Sequence, residues 1–204
     1  MNLDLSVTFS GLESLNKFVG EIPATQRRVA ALALNKTSER ARAASARRMR
    51  EQINFPGGYL DPGQNRLVVD RKASSTSLET SVLGRTRPTS LARFVVGNPQ
   101  PRSGDEISVA IKTGRGARRL DRAFMVRLKS GNTDTKNNLG LAVRTGNGQK
   151  PDNAYKPKQL GNGVYLLYGP SVSQVFKATR YEIEPDTLKF LSDEYDRLLK
   201  VNLK

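Results

Sequence analysis

The chain has 204 residues, 37% of them hydrophobic and 26% charged, and its net charge of +15 places the sequence pI near 10.4. This length suits one sizeable core with extensions, and the charge indicates acidic partners, nucleic acid first among them. Cysteine and histidine are absent, which excludes disulfides, thiol nucleophiles, the usual zinc ligands and the commonest general base.

The amino-terminal residues predict a strand followed by a short helix. Leu3, Leu5, Val7 and Phe9 alternate with polar residues, which is the period of a half-buried strand. Apolar residues within 12–19 have helical spacing instead. A signal peptide would be continuously apolar here, and no apolar run in the chain approaches the ~20 residues of a membrane span. We therefore expect a protein that stays in the cytoplasm of the cell that makes it, at least until assembly.

Residues 23–53 predict a single long helix. Pro23 suits a first helical turn, and about thirty residues then pass without glycine or proline. At ~1.5 Å per residue the helix is roughly 45 Å long, more than one small core covers. At helical spacing, one face of this helix carries a stripe of mostly small residues, which lets another backbone approach closely. Its members are Ala30, Leu34, Ser38, Ala41, Ser45 and Met49. Val29 and Leu32 add apolar surface on the far side.

The opposite face of this helix is basic. Its residues are Lys36, Arg40, Arg47 and Arg50. Two interpretations stay open, a solvated helix face or a surface that docks onto phosphate or an acidic protein.

Turn residues throughout 55–63 end the long helix, and Phe55, Tyr59 and Leu60 could anchor this loop. Residues 66–73 and 78–85 then predict an antiparallel hairpin around a turn at 74–77. Residues 87–94 predict a loop entering one helical turn, with Thr89 or Ser90 as its cap.

Clean alternation predicts a strand over 106–112, followed by a flexible basic turn over 113–119. That turn holds the densest basic loop cluster, Arg115, Arg118 and Arg119. Such a cluster would contact a phosphate backbone without reading bases, and without interleaved aromatic residues it does not favour single-strand stacking.

The remaining chain predicts strands at 123–128, 139–143 and 164–168, the last ended by Gly169-Pro170. Residues 129–138 and 145–163 predict long interaction loops, mobile or ordered only against a partner. A capping box at Ser171 and Gln174 starts a final helix, which Pro185 breaks or kinks.

Motifs for enzymatic chemistry are weak. The glycine-rich turns lack the spacing of a phosphate-binding loop or a dinucleotide fingerprint. Asp61, Asp70 and Lys72 resemble the two carboxylates and lysine of a metal-dependent nuclease. The alternative is that these three residues lie on a solvated hairpin edge and have no catalytic role.

Five segments resemble the minor tail protein Z family of tailed bacteriophages, the tail-completion proteins of the head-to-tail neck. They span most of the chain in the family's order, and the last is the most specific. The segments are Leu34-Asn-Lys-Thr-Ser-Glu-Arg-Ala41, Arg87-Pro-Thr-Ser-Leu-Ala-Arg-Phe94, Phe124-Met-Val-Arg-Leu-Lys-Ser-Gly131, Gly140-Leu-Ala-Val-Arg144 and Leu167-Tyr-Gly-Pro-Ser-Val-Ser-Gln-Val-Phe176.

The resemblance implies a structural virion protein without catalytic residues or cofactor, made in the host cytoplasm and placed in the phage neck. It implies a homo-oligomer, a hexameric ring, that joins the tail to the DNA-filled head. The implied partners are the tail terminator or tail tube protein, the head-tail connector proteins and, by non-specific contact, DNA in the channel; no membrane is involved.

The residues themselves predict an α+β single domain: a mostly antiparallel sheet flanked by a long amino-terminal helix and a kinked carboxy-terminal helix. The candidate assembly or DNA-facing surface consists of two groups of basic residues. These are Lys36, Arg40, Arg47 and Arg50 of the long helix and Arg115, Arg118 and Arg119 of the turn. The alternatives are a sequence-independent nucleic-acid-binding protein and the metal-dependent nuclease.

Overall fold

The computed structural model describes residues 23–101, 106–128, 138–146, 149–151, 155–161 and 163–202. In chain order the elements are α1 (Ala24–Gln52), β1 (Leu67–Arg71), β2 (Ser81–Gly84), β3 (Pro88–Ser90), a 3₁₀ helix (Leu91–Phe94), β4 (Ile107–Val109), β5 (Arg118–Leu120), β6 (Ala123–Arg127), β7 (Leu139–Arg144), β8 (Lys158–Gly161), β9 (Val164–Leu166), β10 (Tyr168–Ser171) and α2 (Val172–Asn202). The predicted α+β class is confirmed.

The described chain packs as two compact units, each built from separate stretches of sequence. The first unit takes residues 23–49, 60–86 and 173–202, and the second takes residues within 50–59 and 87–172. The last residues of α1 thus belong to the second unit. The prediction of a single domain stays a prediction.

The first unit consists of the two long helices and the β1–β2 hairpin. Lys36 meets Glu194, Arg40 meets Phe190 and Arg48 meets Glu182. Each step along α1 is matched by an equal step backwards along α2, so the helices run antiparallel. The predicted hairpin is confirmed, since Leu67 pairs with Gly84 and Val69 with Val82.

The small-residue face of α1 is confirmed as the buried face. Ser45 and Met49 are fully buried, and Ser38 and Ala41 nearly so. A hydrophobic cluster beside them joins both helices to the hairpin; its residues are Ala31, Leu34, Ala73 and Leu78, with Ala30 and Leu191 packed against it. Leu32 is 48% exposed, because only one side of α1 at this level faces the core.

Asn35 ties α1 to the end of the hairpin. Its amide nitrogen donates to the Ala73 carbonyl at 2.9 Å, and its amide oxygen accepts from the Ala73 backbone N–H at 2.8 Å. One side chain therefore satisfies both backbone groups of a buried residue, where water could not replace it.

The assigned helix α2 runs through Pro185 without interruption. Proline removes one backbone donor from the helical ladder. Two residues later the Thr187 hydroxyl donates to the Ile183 carbonyl at 2.7 Å, a back-bonding arrangement that occurs at helix bends.

The described residues of the second unit form three antiparallel sheets. The largest has the strand order β6-β7-β9-β8, and the two smaller sheets pair β4 with β5 and β3 with β10. Phe55 stacks on Tyr59 with ring centroids 5.4 Å apart, and the Phe94 ring lies 6.0 Å from that of Phe55. These rings fill the space between residues 50–59 and the 3₁₀ helix.

Several strands correct the sequence predictions. Thr89 and Ser90 lie in β3, and Ser90 precedes the 3₁₀ helix without a side-chain capping bond. Gly169-Pro170 continues as β10 rather than ending a strand. Two further strands, β5 and β8, lie where loops were predicted, at 113–119 and 145–163. β3 and β10 pair with each other although they lie far apart in the sequence, whereas β5 and β8 pair with the adjacent strands β4 and β9.

The predicted strand and helix of residues 3–19 lie outside the described residues, as does 129–137 of the first predicted loop. No helix within the described ranges is both long and apolar enough to cross a membrane.

Candidate functional site

The basic face of α1 is partly used inside the first unit. The Lys36 ammonium lies 2.9 Å from Glu194 Oε1, and the Arg40 guanidinium lies 4.3 Å from the centre of the Phe190 ring. Both partners belong to α2. These two cations therefore join the helices, which sequence reasoning missed because the partners lie about 150 residues away.

The other two stripe residues differ from this pair. Arg47 is exposed and has no side-chain partner in the described part of the chain, whereas Arg50 is half-buried and engaged. Arg48, which the stripe omitted, forms an ion pair with Glu182 of α2. Arg47 is thus the member of the predicted stripe that stays available to a partner.

Glu194 of α2 accepts hydrogen bonds from two cations, one on each helix. Arg197 donates to it twice, at 2.7 and 3.0 Å, and Lys36 adds a bond at 2.9 Å. The side chain is only 5% exposed. The bonds from Arg197 and then Lys36 favour the charged form and lower the pKa of Glu194 from 4.5 to about 2, against the opposing effect of burial.

The β4–β5 hairpin carries the second predicted cluster. Val109 pairs with Arg118 and Ser108 with Arg119, so the two arginines lie on opposite faces of the strand pair. Arg115 lies in the connecting turn beside Gly114, whose positive φ of 72° suits glycine. Every residue of 112–119 is exposed.

Backbone bonds hold the hairpin to residues 50–55. Asn54 donates from its backbone to the Ile111 carbonyl at 2.8 Å, and its amide reaches the carbonyls of Ala110 and Lys112 at 3.1 and 3.2 Å. The Thr113 hydroxyl donates to the Arg50 carbonyl at 2.9 Å. The base of the basic turn is therefore fixed.

One arginine of the cluster is already neutralised. Arg119 reaches Glu106 at 2.7 Å and Asp121 at 3.6 Å. Arg115 and Arg118 have no side-chain partner among the described residues, and neither have two neighbouring cations that the sequence prediction omitted, Lys112 and Arg122. Arg122 lies in the tight turn between β5 and β6. The sequence did not predict β5, so it could not assign Arg122 to this group.

The carboxylates of the nuclease alternative are not gathered into a metal site. Asp61 and Asp70 are exposed, and no group of three potential acidic ligands occurs within the described ranges. Lys72 lies 4.0 Å from Glu39 of α1 instead. The geometry therefore adds no support to metal-dependent cleavage.

Comparison with known proteins found no matching family model, no matching curated protein and no matching solved structure.

Proposed function

We propose that this chain is a structural virion protein of a tailed phage, which completes the tail at the neck and joins it to the DNA-filled head. The observation that carries the proposal is the mutual pairing of the segments that resemble the minor tail protein Z family. Residues 87–94 and 167–176 contribute β3 and β10, whose register pairs Ser90 with Tyr168 and Thr89 with Gly169.

Close packing accompanies this pairing. A methyl group on Gly169 would lie 3.1 Å from Phe94 Cε2, so the glycine lets strand and ring approach each other. The segments at 124–131 and 140–144, which contribute β6 and β7, are also paired with each other: Met125 lies opposite Leu141 and Val126 opposite Gly140. Such interlocked segments support a shared fold, since scattered short matches would have no reason to pair.

A homo-oligomer, a hexameric ring in the proposed neck, is supported by exposed apolar residues on α2. Tyr181 is 63% and Leu188 47% exposed, and they lie seven residues apart on one side of the helix. Large exposed apolar side chains at helical spacing are typical of a surface covered by another protein. In the neck the further neighbours are the tail terminator or tail tube protein and the connector proteins.

The test is deletion of the coding sequence from the phage genome. We expect filled heads and finished tails to accumulate separately, and plasmid-borne chain to restore joined particles. Electron microscopy of the lysate scores both species, and mass spectrometry should find the chain in joined particles. Normal joining without the chain would refute the proposal.

A matched pair of variants then locates the ring contact. Tyr181→Glu with Leu188→Glu should prevent joining and lower the assembled mass in light scattering. Lys189→Glu with Lys200→Glu, at exposed positions on another side of α2, makes an equal number of substitutions off the apolar pair. Equal effects of both variants would place the ring contact elsewhere.

The second candidate, sequence-independent nucleic-acid binding outside a virion, is favoured by the unpaired cations of the β4–β5 hairpin. The two candidates differ in one measurable respect: the second predicts no defect in particle assembly after deletion.

A further inference from the structure

The two units differ sharply in charge. The segments that form the second unit, 50–59 and 87–172, contain sixteen Lys and Arg against six Asp and Glu, whereas the rest of the chain contains eighteen against thirteen. The second unit therefore carries two thirds of the net charge.

The cations of the first unit are largely satisfied within it. Lys36 and Arg48 pair with glutamates of α2, and the buried Arg42 donates to the Leu60 carbonyl at 3.2 Å. Arg40 lies over an aromatic ring. A cation that already has a partner gives up that interaction when it binds another anion, so these residues make a poor polyanion site.

The β4–β5 hairpin shows the opposite arrangement. Glu106 and Asp121, its neighbouring acids, are both taken by Arg119. This leaves Lys112, Arg115, Arg118 and Arg122 exposed, with no anionic partner in the described part of the chain. Arg122 holds a positive φ of 59°, a conformation that glycine or asparagine adopts more readily, so this turn presents a cation at a backbone cost.

We infer that this hairpin surface, formed by Lys112, Arg115, Arg118 and Arg122, binds the phosphate backbone of duplex DNA without reading its sequence. The inference rests on the proposed function in one respect: in the neck, the bound DNA would be the packaged duplex that passes from the head into the tail. From the turn to Arg122 the hairpin covers up to about 20 Å. A duplex presents one negative charge per ~1.7 Å of its axis, so several phosphates lie within reach.

An acidic protein fits this surface less well. Protein interfaces concentrate their binding energy in buried apolar or aromatic anchors, and their centres are depleted of charged residues. Residues 112–119 contain no aromatic residue and are exposed throughout. A regular, densely charged polymer matches such a surface, because it needs only cations at intervals and small residues that let the backbone approach.

The experiment measures binding of the purified full chain to a fluorescein-labelled 20-base-pair duplex of arbitrary sequence by fluorescence anisotropy, from 50 to 200 mM NaCl. Four phosphate contacts predict a salt slope near −3.6, so affinity should fall about 150-fold across this range. Changing Lys112, Arg115, Arg118 and Arg122 to Gln should lower affinity at 50 mM salt at least tenfold and remove most of the slope. A duplex of different sequence should bind equally well.

The control changes Arg28, Lys177, Lys189 and Lys200 to Gln. These four residues are exposed in the first unit without a described partner, and the net charge falls by the same amount. Binding should change less than threefold. Equal losses in both variants, or no binding by the unaltered chain at 50 mM salt, would overturn the inference. So would poly-L-glutamate competing as well as unlabelled duplex at equal charge, since the partner would then be an acidic protein.

The two proposals can fail separately. A chain absent from joined particles refutes the neck function, whatever its affinity for DNA. Unchanged DNA binding by the hairpin variant refutes the hairpin surface, even if the chain is found in the virion.

Discussion

Glu194 illustrates how a single residue can link two helices and confer a pH response. Its folded-state pKa of about 2 lies below the ordinary value of 4.5. Above pH 4.5 the carboxylate is charged in both states, and its full contribution to stability is present. Between pH 4.5 and 2 the unfolded chain takes up a proton while the folded chain does not, so this contribution is lost as the pH falls.

Replacing Glu194 with Gln should therefore lower the melting temperature at pH 7, and the difference from the unaltered chain should shrink towards zero as the pH approaches 2. Circular dichroism melts at pH 7, 4, 3 and 2 measure this. Glu79→Gln, which removes the ion pair with Arg71 on the exposed hairpin, should have little effect at any of these values. A Glu194→Gln difference that stays constant with pH would contradict the assigned ionic role.

Gly163 is a residue where backbone conformation decides the side chain. Its φ is 72°, and a methyl group would lie 2.8 Å from the backbone oxygen of Thr145. The Gly163 carbonyl accepts bonds from Thr145 at 2.9 and 3.3 Å, so the two segments cannot separate freely. Both the left-handed conformation and the close contact oppose any larger residue.

Gly163→Ala should destabilise the protein by about 1–3 kcal/mol. Gly116→Ala is the control, since that position has no atom within 4 Å of the added methyl group and no positive φ, and it should change stability by less than about 0.5 kcal/mol. Urea unfolding followed by circular dichroism suits a chain without tryptophan. Equal stabilities of the two variants would argue against the tight turn.

Among the elements, α1 shows how small side chains set the distance to the structure beside it. Ser45 is fully buried and donates its hydroxyl to the Ala41 carbonyl at 2.7 Å. It thereby satisfies its polar group within the helix and needs no partner elsewhere. The face consequently presents little side-chain volume, and neighbouring segments can pack against the helix closely.

Ala41→Leu should cost about 1–3 kcal/mol, because a buried position would receive three extra carbon atoms. Ala43→Leu makes the same substitution two residues along, at an exposed position of the same helix, and should change stability by less than about 0.5 kcal/mol. Urea unfolding of both variants measures the difference. If the two substitutions were tolerated equally, the small-residue face would not be tightly packed.

For the molecule as a whole, the chain passes between the two units more than once, so neither unit is a continuous piece of sequence. Residues 50–59 belong to the second unit although they directly follow α1. Phe55 and Tyr59 join Phe94 in a ring cluster, and Arg93 lies 5.1 Å from the centre of the Tyr59 ring. The packing of the second unit therefore depends on residues that directly follow α1 in the sequence.

Phe55→Ala should destabilise the protein by about 3–5 kcal/mol, the usual cost of removing a buried aromatic ring. Tyr59→Phe keeps the stacked ring and loses the hydroxyl that lies 3.4 Å from Thr89 Oγ1, so it should cost about 1 kcal/mol. Hydrogen exchange should show the loss for Phe55→Ala in β3 and the 3₁₀ helix. Protection unchanged there would contradict the role of the cluster.

The amino-acid sequence by itself determined the α+β class, the long helix, its small-residue face, the β1–β2 hairpin and the central strands β6 and β7. These features depend on local composition and on the period of apolar residues, which neighbouring positions encode. The basic cluster at 113–119 was likewise identified from the sequence, because charge is a property of the residues themselves.

Tertiary structure alone decided which cations are free and which short segments are strands. The sequence places Lys36 and Arg40 on the basic face of the long helix. In the fold they contact Glu194 and Phe190 of α2. Lys112 lies in the connection between β4 and β5, and Arg122 lies in the turn after β5 with a positive φ of 59°. The physical reason is that an ion pair or a strand needs a partner. For Lys36, Arg40 and β10 that partner is distant in the sequence, and for β5 and β8 it is the adjacent strand of a hairpin.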